Sequence, residues 1–359
     1  MTSVSMPQVN DRVIVGVDTH ADIHVAVALD PVGRMLGHLE IVTTPRGYDQ
    51  LLGWAHGYAA EVAFGVEGTG SYGAGLARYL NEAGCSVIEV SRPNRQIRRQ
   101  RGKSDPIDAE AAARSVLSGE ASCVPKADQA QVGMIGTLRI ARRSAQKMRT
   151  QALNQMRAVV VTAPDDLRHH LRGLPVARLA AISAALRPGA ITTPAAAAKM
   201  TLRCLATRYQ ALTSELQVLD TELARLTLEV APALSELKGV GPDVAGALLV
   251  AAGDNPERLR SEAAFASLCG VSPVPASSGK TNRHRLNRGG DRIANNALWR
   301  IVMVRLTCDQ RTQQYMARRT TEGLSRREII RCLKRYIVRE VYCTLRATPT
   351  HPLSLVDNP

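Results

Sequence analysis

Four acidic residues stand where a chain can gather them for phosphate chemistry. Asp18 closes the apolar run in Gly16-Val17-Asp18-Thr19, and Glu67 closes another in Phe64-Gly65-Val66-Glu67-Gly68-Thr69-Gly70. Asp105 and Asp108 lie in Lys103-Ser104-Asp105-Pro106-Ile107-Asp108-Ala109. A proline suits the first turn of a helix, and a spacing of three puts both carboxylates on one helical face. Taken singly, each acid reads as a cap or a surface charge. Taken as a set, the four carboxylates repel one another unless a hard cation neutralises them. Oxygen-only donors suit Mg²⁺ or Mn²⁺, and such ions stabilise the attacking and leaving oxygens of a phosphodiester.

Two basic segments accompany the acids. Arg92, Arg95, Arg98, Arg99, Arg101 and Lys103 fall in a stretch without an acid that leads straight to Asp105. The second segment runs Gly270-Val271-Ser272-Pro273-Val274-Pro275-Ala276-Ser277-Ser278-Gly279-Lys280 and on through Arg283, Arg285 and Arg288 to Asp291. Its hydroxyls sit among cations that can hold a phosphate, although a serine needs activation before it attacks. Read blandly, both segments are solvated basic loops. Beside the acids they are expected to contact the nucleic-acid backbone and fix register without reading sequence.

The elements that must position these groups follow from periodicity. Arg12–Val17, Ile23–Leu29, Arg34–Val42, Val62–Val66 and Ser86–Val90 read as strands, with Asp18–Asp22 as a polar turn. Helices are expected around Tyr48–Ala55 and Leu76–Ala83. Three strands, helix, strand, helix, strand is the order of the ribonuclease-H-like α/β fold. From Gln129 to about Val161 the pattern is helical, and Pro164–Pro194 is punctuated by proline and glycine. Leu205, Tyr209, Leu212, Leu216, Leu219, Leu223, Leu226 and Val230 then step by four and three as a heptad seam. That seam serves either a coiled coil between protomers or a hairpin within one chain. Gly239-Val240-Gly241-Pro242 resembles the turn of a helix-hairpin-helix, which offers amides to a phosphate or serves packing alone. The expected division is a tail over 1–11, a catalytic domain over 12–125, a helical coiled-coil domain over 126–233, a mostly helical domain over 234–346, and a tail over 347–359.

Composition limits the partners. The formal net charge is +14 across 359 residues, which points to a polyanion, with DNA or RNA as the default. No apolar run spans a bilayer and no signal-peptide core opens the chain, so a cytoplasmic protein is expected. Seven cysteines without a CxxC pair argue against a disulfide framework or a zinc ribbon. Aromatic residues are only 3%, so base stacking is not expected to dominate binding.

Together, the four acidic motifs, the glycine turn and the serine loop resemble the DEDD-type serine transposases of insertion sequences, the family that includes the Piv-type DNA invertases. The resemblance runs from about Arg12 to Arg346 and is weakest around Pro164–Pro194. It implies a Holliday-junction-resolvase-like (RuvC-like) ribonuclease H domain carrying Asp18, Glu67, Asp105 and Asp108. It also implies a C-terminal transposase domain whose serine, Ser278 by motif position with Ser277 as the near alternative, joins DNA through a covalent phosphoserine. Further implications are a tetramer acting on donor and target DNA, and a structured guide RNA. Two other readings remain open. One is a metal-dependent junction resolvase using water with the same acids; the other is a non-catalytic nucleic-acid-binding assembly protein.

Overall fold

The computed structural model describes residues 12–90, 104–126, 131–255, 259–277 and 284–347. The chain divides into two compact units, 1–126 and 127–359.

The first unit is built on one mixed sheet. Its strands are β1 (Arg12–Thr19), β2 (Ile23–Leu29), β3 (Met35–Val42), β4 (Glu61–Glu67) and β5 (Ser86–Val90), in spatial order β3-β2-β1-β4-β5. β1 pairs antiparallel with β2 and parallel with β4, and β4 pairs parallel with β5. This order is consistent with a ribonuclease-H-like fold. Side chains alternate across a strand, so each face collects every second residue. Val13, Val15, Val17, Phe64 and Val66 bury against α1 (Pro45–His56) and α2 (Ala74–Glu82). Ile14, Val25, Val27, Leu29 and Val90 bury against α3 (Asp105–Leu117) on the other face.

The expected polar turn Asp18–Asp22 is shorter than the pattern suggested. β1 continues through Asp18 and Thr19, which pair with Val25 and His24 of β2. Ladder pairing overrides the polarity of those two side chains, and both are buried. Helix α3 sits unusually close to the sheet. A Cβ on Gly16 would overlap the carbonyl oxygen of Ala109 and the amide of Ala113. A Cβ on Gly65, the ladder partner of Gly16, would come 2.7 Å from Val116 Cγ2. Ala109, Ala112 and Ala113 supply the matching small face and are fully buried.

The second unit is helical, and a two-stranded ladder is its only sheet among the described residues. α4 (Gln131–Thr162) and α7 (Pro194–Val230) form an antiparallel hairpin. Met156 and Val160 cluster with Leu202 and Ala206; Ala145 with Leu212 and Leu216; Val132 and Ile135 with Leu223 and Leu226. Within the chain, then, the heptad seam packs along α4. The segment between Pro164 and Pro194 holds α5 (Asp165–Leu171) and α6 (Val176–Ala185), where an expected break contains two short helices. Pro164 and Pro175 stand in extended backbone at the N-caps of these helices, a position where proline starts a helix without breaking one.

After the short turn α8 (Pro232–Ser235), the remaining elements are α9 (Pro242–Ala252), α10 (Glu262–Leu268), α11 (Arg292–Cys308), α12 (Gln310–Thr321) and α13 (Arg326–Ala347). They enclose one core around Leu248, Phe265, Leu298, Ile301 and Val338. Asp243, in the first turn of α9, is met by Arg139 and Arg142 of α4 at 3.1 and 3.4 Å and by Arg300 of α11. Burial raises a carboxyl's pKa. Here the hydrogen bond from Arg300 and the charges of Arg139 and Arg142 outweigh burial and hold Asp243 below its ordinary value. The expected tails 1–11 and 348–359 lie outside the described residues, whereas Ala347, assigned to the tail by sequence, closes α13.

Candidate metal centre and serine loop

Asp18 and Glu67 reach the same edge of the sheet because their strands are parallel neighbours in matched register. Val17 pairs with Val66, so the next residue of each strand is a carboxylate. Strand alternation turns both toward the α3 face, in line with Ile14, Gly16, Ala63 and Gly65. The Thr19 hydroxyl donates to the Glu67 carbonyl at 2.9 Å and ties the two strand ends together. Gly68 follows at φ +67°, a conformation that lets the chain turn away at once.

Asp105 and Asp108 arrive from the N-terminus of α3. The cap position is Ser104, so Asp105 lies inside the first turn and is not the cap residue that its type allowed. Both acids sit where the helix dipole favours negative charge. Asp108 is only 2% exposed. His20, two residues beyond Asp18, places its Nε2 3.3 Å from Asp18 Oδ2 and 3.4 Å from Asp105 Oδ1. Donor atoms of Asp18, His20 and Asp105 all lie within 4.8 Å of one another. Burial raises the pKa of Asp18; His20 lowers it, Asp108 and Asp105 repel its charge, and the net direction is upward.

A buried carboxylate raised by burial and by two acidic neighbours fits a site completed by a divalent cation. Asp18, His20 and Asp105 are the residues the geometry draws tightest. Asp108 acts on Asp18 through its charge, and Glu67 stands alongside on the neighbouring strand. His20 was not singled out from the sequence. It lies just beyond the end of β1, where strand alternation no longer assigns a side chain to a face.

In the second unit, the serine loop is held by its two limbs. β6 (Val274–Pro275) pairs with β7 (His284–Arg285). The second limb is fastened to the end of α10. A Cβ on Gly290 would overlap the backbone of Gly270, and Asp291 N donates to Leu268 O at 2.6 Å. Asn287 Nδ2 donates to Ser267 O at 3.0 Å and Asn295 Nδ2 to Cys269 O at 2.8 Å. Burial pushes the nearby Cys269 thiol up to about 12, so it stays protonated. All seven cysteines are free.

Arg285 and Arg288 are described and exposed. Ser278, Lys280 and Arg283 lie outside the described residues, as do Arg92, Arg95, Arg98, Arg99, Arg101 and Lys103. The glycine turn before α9 packs on one side. Gly239 takes φ +85° against Ile301 and Val304, and Arg305 Nε donates to Lys238 O at 2.7 Å. No helix among the described residues is long and apolar enough to cross a membrane.

Residues 15–163 match a family model for transposases, the DEDD type of IS110 elements, and the chain is a DNA transposase/recombinase. Residues 231–317 match a second model, described as transposases of the IS116/IS110/IS902 family. The chain thus carries both of these transposase domains of the IS110 family, which places it in an insertion sequence. A comparison with curated proteins gives no match.

Proposed function

We propose that this transposase breaks and rejoins DNA through a covalent phosphoserine, with Ser278 as nucleophile and Asp18, Glu67, Asp105 and Asp108 as the acidic centre. One observation carries the reading: acids from two parallel strand ends and one helix start gather at the same sheet edge, around Asp18. Divalent cations, Mg²⁺ or Mn²⁺, supply charge neutralisation at the scissile phosphate when bound. Asp18 and Asp105 hold them, with Glu67 and Asp108 completing the donor set and His20 placed beside it.

Ser278 Oγ attacks phosphorus, the P–O3′ bond breaks, and the proton lost by the serine ends on the departing 3′ oxygen. A new 3′ hydroxyl then attacks the phosphoserine, restores the diester and frees the serine. The bond energy is conserved, so no nucleotide cofactor is required. Arg285 and Arg288, with Lys280 and Arg283 and the segment Arg92–Lys103, hold phosphates. Gly241, which has open space around it, leaves one side of its turn for a further phosphate. The protein acts as a homo-oligomer on donor and target DNA. Its sequence choice comes from a paired guide RNA, in keeping with a basic chain poor in aromatics. In this reading the segments 126–233 and 234–346 divide the work of assembly and of strand attack.

The test is covalent capture. Wild-type protein and Ser277→Ala, incubated with Mg²⁺, guide RNA and donor DNA, are expected to give a detergent-resistant protein–DNA adduct. Ser278→Ala is expected to give none and to lose joining by roughly a millionfold, as nucleophile removal does elsewhere. Cleavage without adduct in Ser278→Ala would instead identify a water-using resolvase. No cleavage or adduct by wild type, with nucleic-acid binding unchanged in an Asp18→Ala, Glu67→Ala double variant, would leave only a binding protein.

A further inference from the structure

The second unit contains a cavity of about 930 Å³ between the limbs of the serine loop, α11 and α13. That is within the usual range of small-ligand sites. Its lining is unusual in charge. Among the described residues it includes Arg285, Arg288, Arg292, Arg327 and Arg331, together with Lys334, Arg335 and His284, and no carboxylate.

Elsewhere in the chain, clustered arginines meet acids. Arg225 is held by Glu222 and Glu229, Arg318 and Arg319 by Glu322, and Arg139, Arg142 and Arg300 by Asp243. In the cavity wall, Arg335 pairs with Glu262, and Lys334 is held by a neutral acceptor, Asn295 Oδ1, at 2.8 Å. Arg327, Arg331 and Arg335 recur every four residues along α13, a like-charge spacing that destabilises a helix on its own. Burial and the charge of Arg331 both lower the pKa of Lys334, as expected of a wall with surplus positive charge. An anion on these groups removes that cost.

The same lining holds two large rings. Trp299 is 43% exposed and Tyr336 is 59% exposed, although only 3% of the chain is aromatic. Cations combined with exposed rings in a concave site match a phosphodiester strand with an unstacked base. A duplex presents base edges, and its base faces are hidden by stacking. Gly270–Pro273 and His284–Arg288, which line the cavity, flank the segment containing Ser277 and Ser278.

We propose that this cavity takes one unstacked nucleotide of the single DNA strand beside the scissile phosphate. Its base lies against Trp299 and Tyr336, and its phosphates lie on Arg288, Arg292, Arg327 and Arg331. The choice of a DNA strand rests on the phosphoserine reading above; the nucleotide chemistry rests on the cavity itself.

The experiment measures binding by full-length protein in EDTA, without guide RNA, so that cleavage plays no part. The probes are a labelled oligothymidylate and an abasic deoxyribose-phosphate oligomer of equal length. Trp299→Ala is expected to weaken the oligothymidylate about tenfold and to leave the abasic oligomer unchanged. Arg331→Ala is expected to weaken both and to reduce the salt dependence by roughly 0.7 in log–log slope. Tyr336→Ala is read in the same way as Trp299→Ala if the latter fails to fold, judged by thermal melting. Equal weakening of both oligomers, or no weakening of either, overturns the proposal. Tighter binding of oligouridylate with the same ring dependence overturns the assignment to DNA. A Ser277→Ala, Ser278→Ala double variant separates the two readings: an adduct that survives it sinks the phosphoserine mechanism, while the ring-dependent binding curves stand or fall independently.

Discussion

The two units of this transposase present opposite electrostatic problems. At the sheet edge, acids crowd one another and a single imidazole stands between two of them. In the helical unit, a cavity is walled by cations with no carboxylate among the described residues of its lining. Neither arrangement is at rest alone, since like charges in a partly dry site repel strongly. In the reading proposed above, divalent cations relieve the first and a phosphate chain relieves the second. Asp243 shows what a purely structural cluster looks like in the same chain: three arginines with their acid among them. The difference separates charges paired within the fold from charges that, in the proposed reading, take a substrate.

The strongest way to break this contrast is Asp18→Asn. Strand cleavage should fall about a thousandfold, the scale of losing a central electrostatic group. The metal-free protein should at the same time melt higher, by about 1 kcal/mol or roughly 2–4 °C, because a repelled buried charge has gone. Melting curves with and without Mg²⁺ check both; a lower melting point without metal contradicts a strained acidic centre. Asp243→Ala should behave oppositely and cost about 3–5 kcal/mol by leaving Arg139 and Arg300 without their acid, while Arg142 keeps Asp220.

That contrast has a pH counterpart. The folded pKa of Asp243 is depressed, so its contribution is present above the ordinary value of 3.8 and is lost as pH falls through the folded pKa. Wild type and Asp243→Ala should therefore converge in stability only in strong acid, which acid titration of unfolding free energy will report. Gly16→Ala comes next, at about 3 kcal/mol, because the added methyl meets the backbone of α3. Thermal unfolding gives its size, and loss of activity beyond the loss of folded protein would show that the acids had moved. His20→Ala is the smallest, with Mn²⁺ affinity reduced roughly tenfold by calorimetry. A gain in affinity would mean that the imidazole only occupies the cation's place.

The sheet was legible because its strands are short, apolar and bounded by turn residues. Asp18 and Glu67 were legible as strand-end acids. Where β1 stops was not, because Asp18 and Thr19 look like turn residues and only pairing with His24 and Val25 of β2 makes them strand. His20 was missed because a histidine after a strand carries no local mark of the helix that will approach it. Pro164 and Pro175 misled in the other direction, since proline both ends and begins helices. The cations of α13 were overlooked for a different reason. Their spacing of four is visible in the sequence, but the lining that α11 and the loop limbs bring to them comes from residues distant in the chain. The heptads of α7 showed a seam without naming its partner; the structure packs that seam along α4.

The paired glycines under α3 have a last consequence. Most active centres are aimed by side chains, which change rotamer as temperature rises. Here the helix bearing two of the acids rests on bare main chain at Gly16 and Gly65. Its height above the sheet is therefore set by van der Waals contact with two residues that carry no side chain, backed by Val116 and Val90. A side chain at either glycine would lift the helix start that carries Asp105 and Asp108 away from the strand ends that carry Asp18 and Glu67.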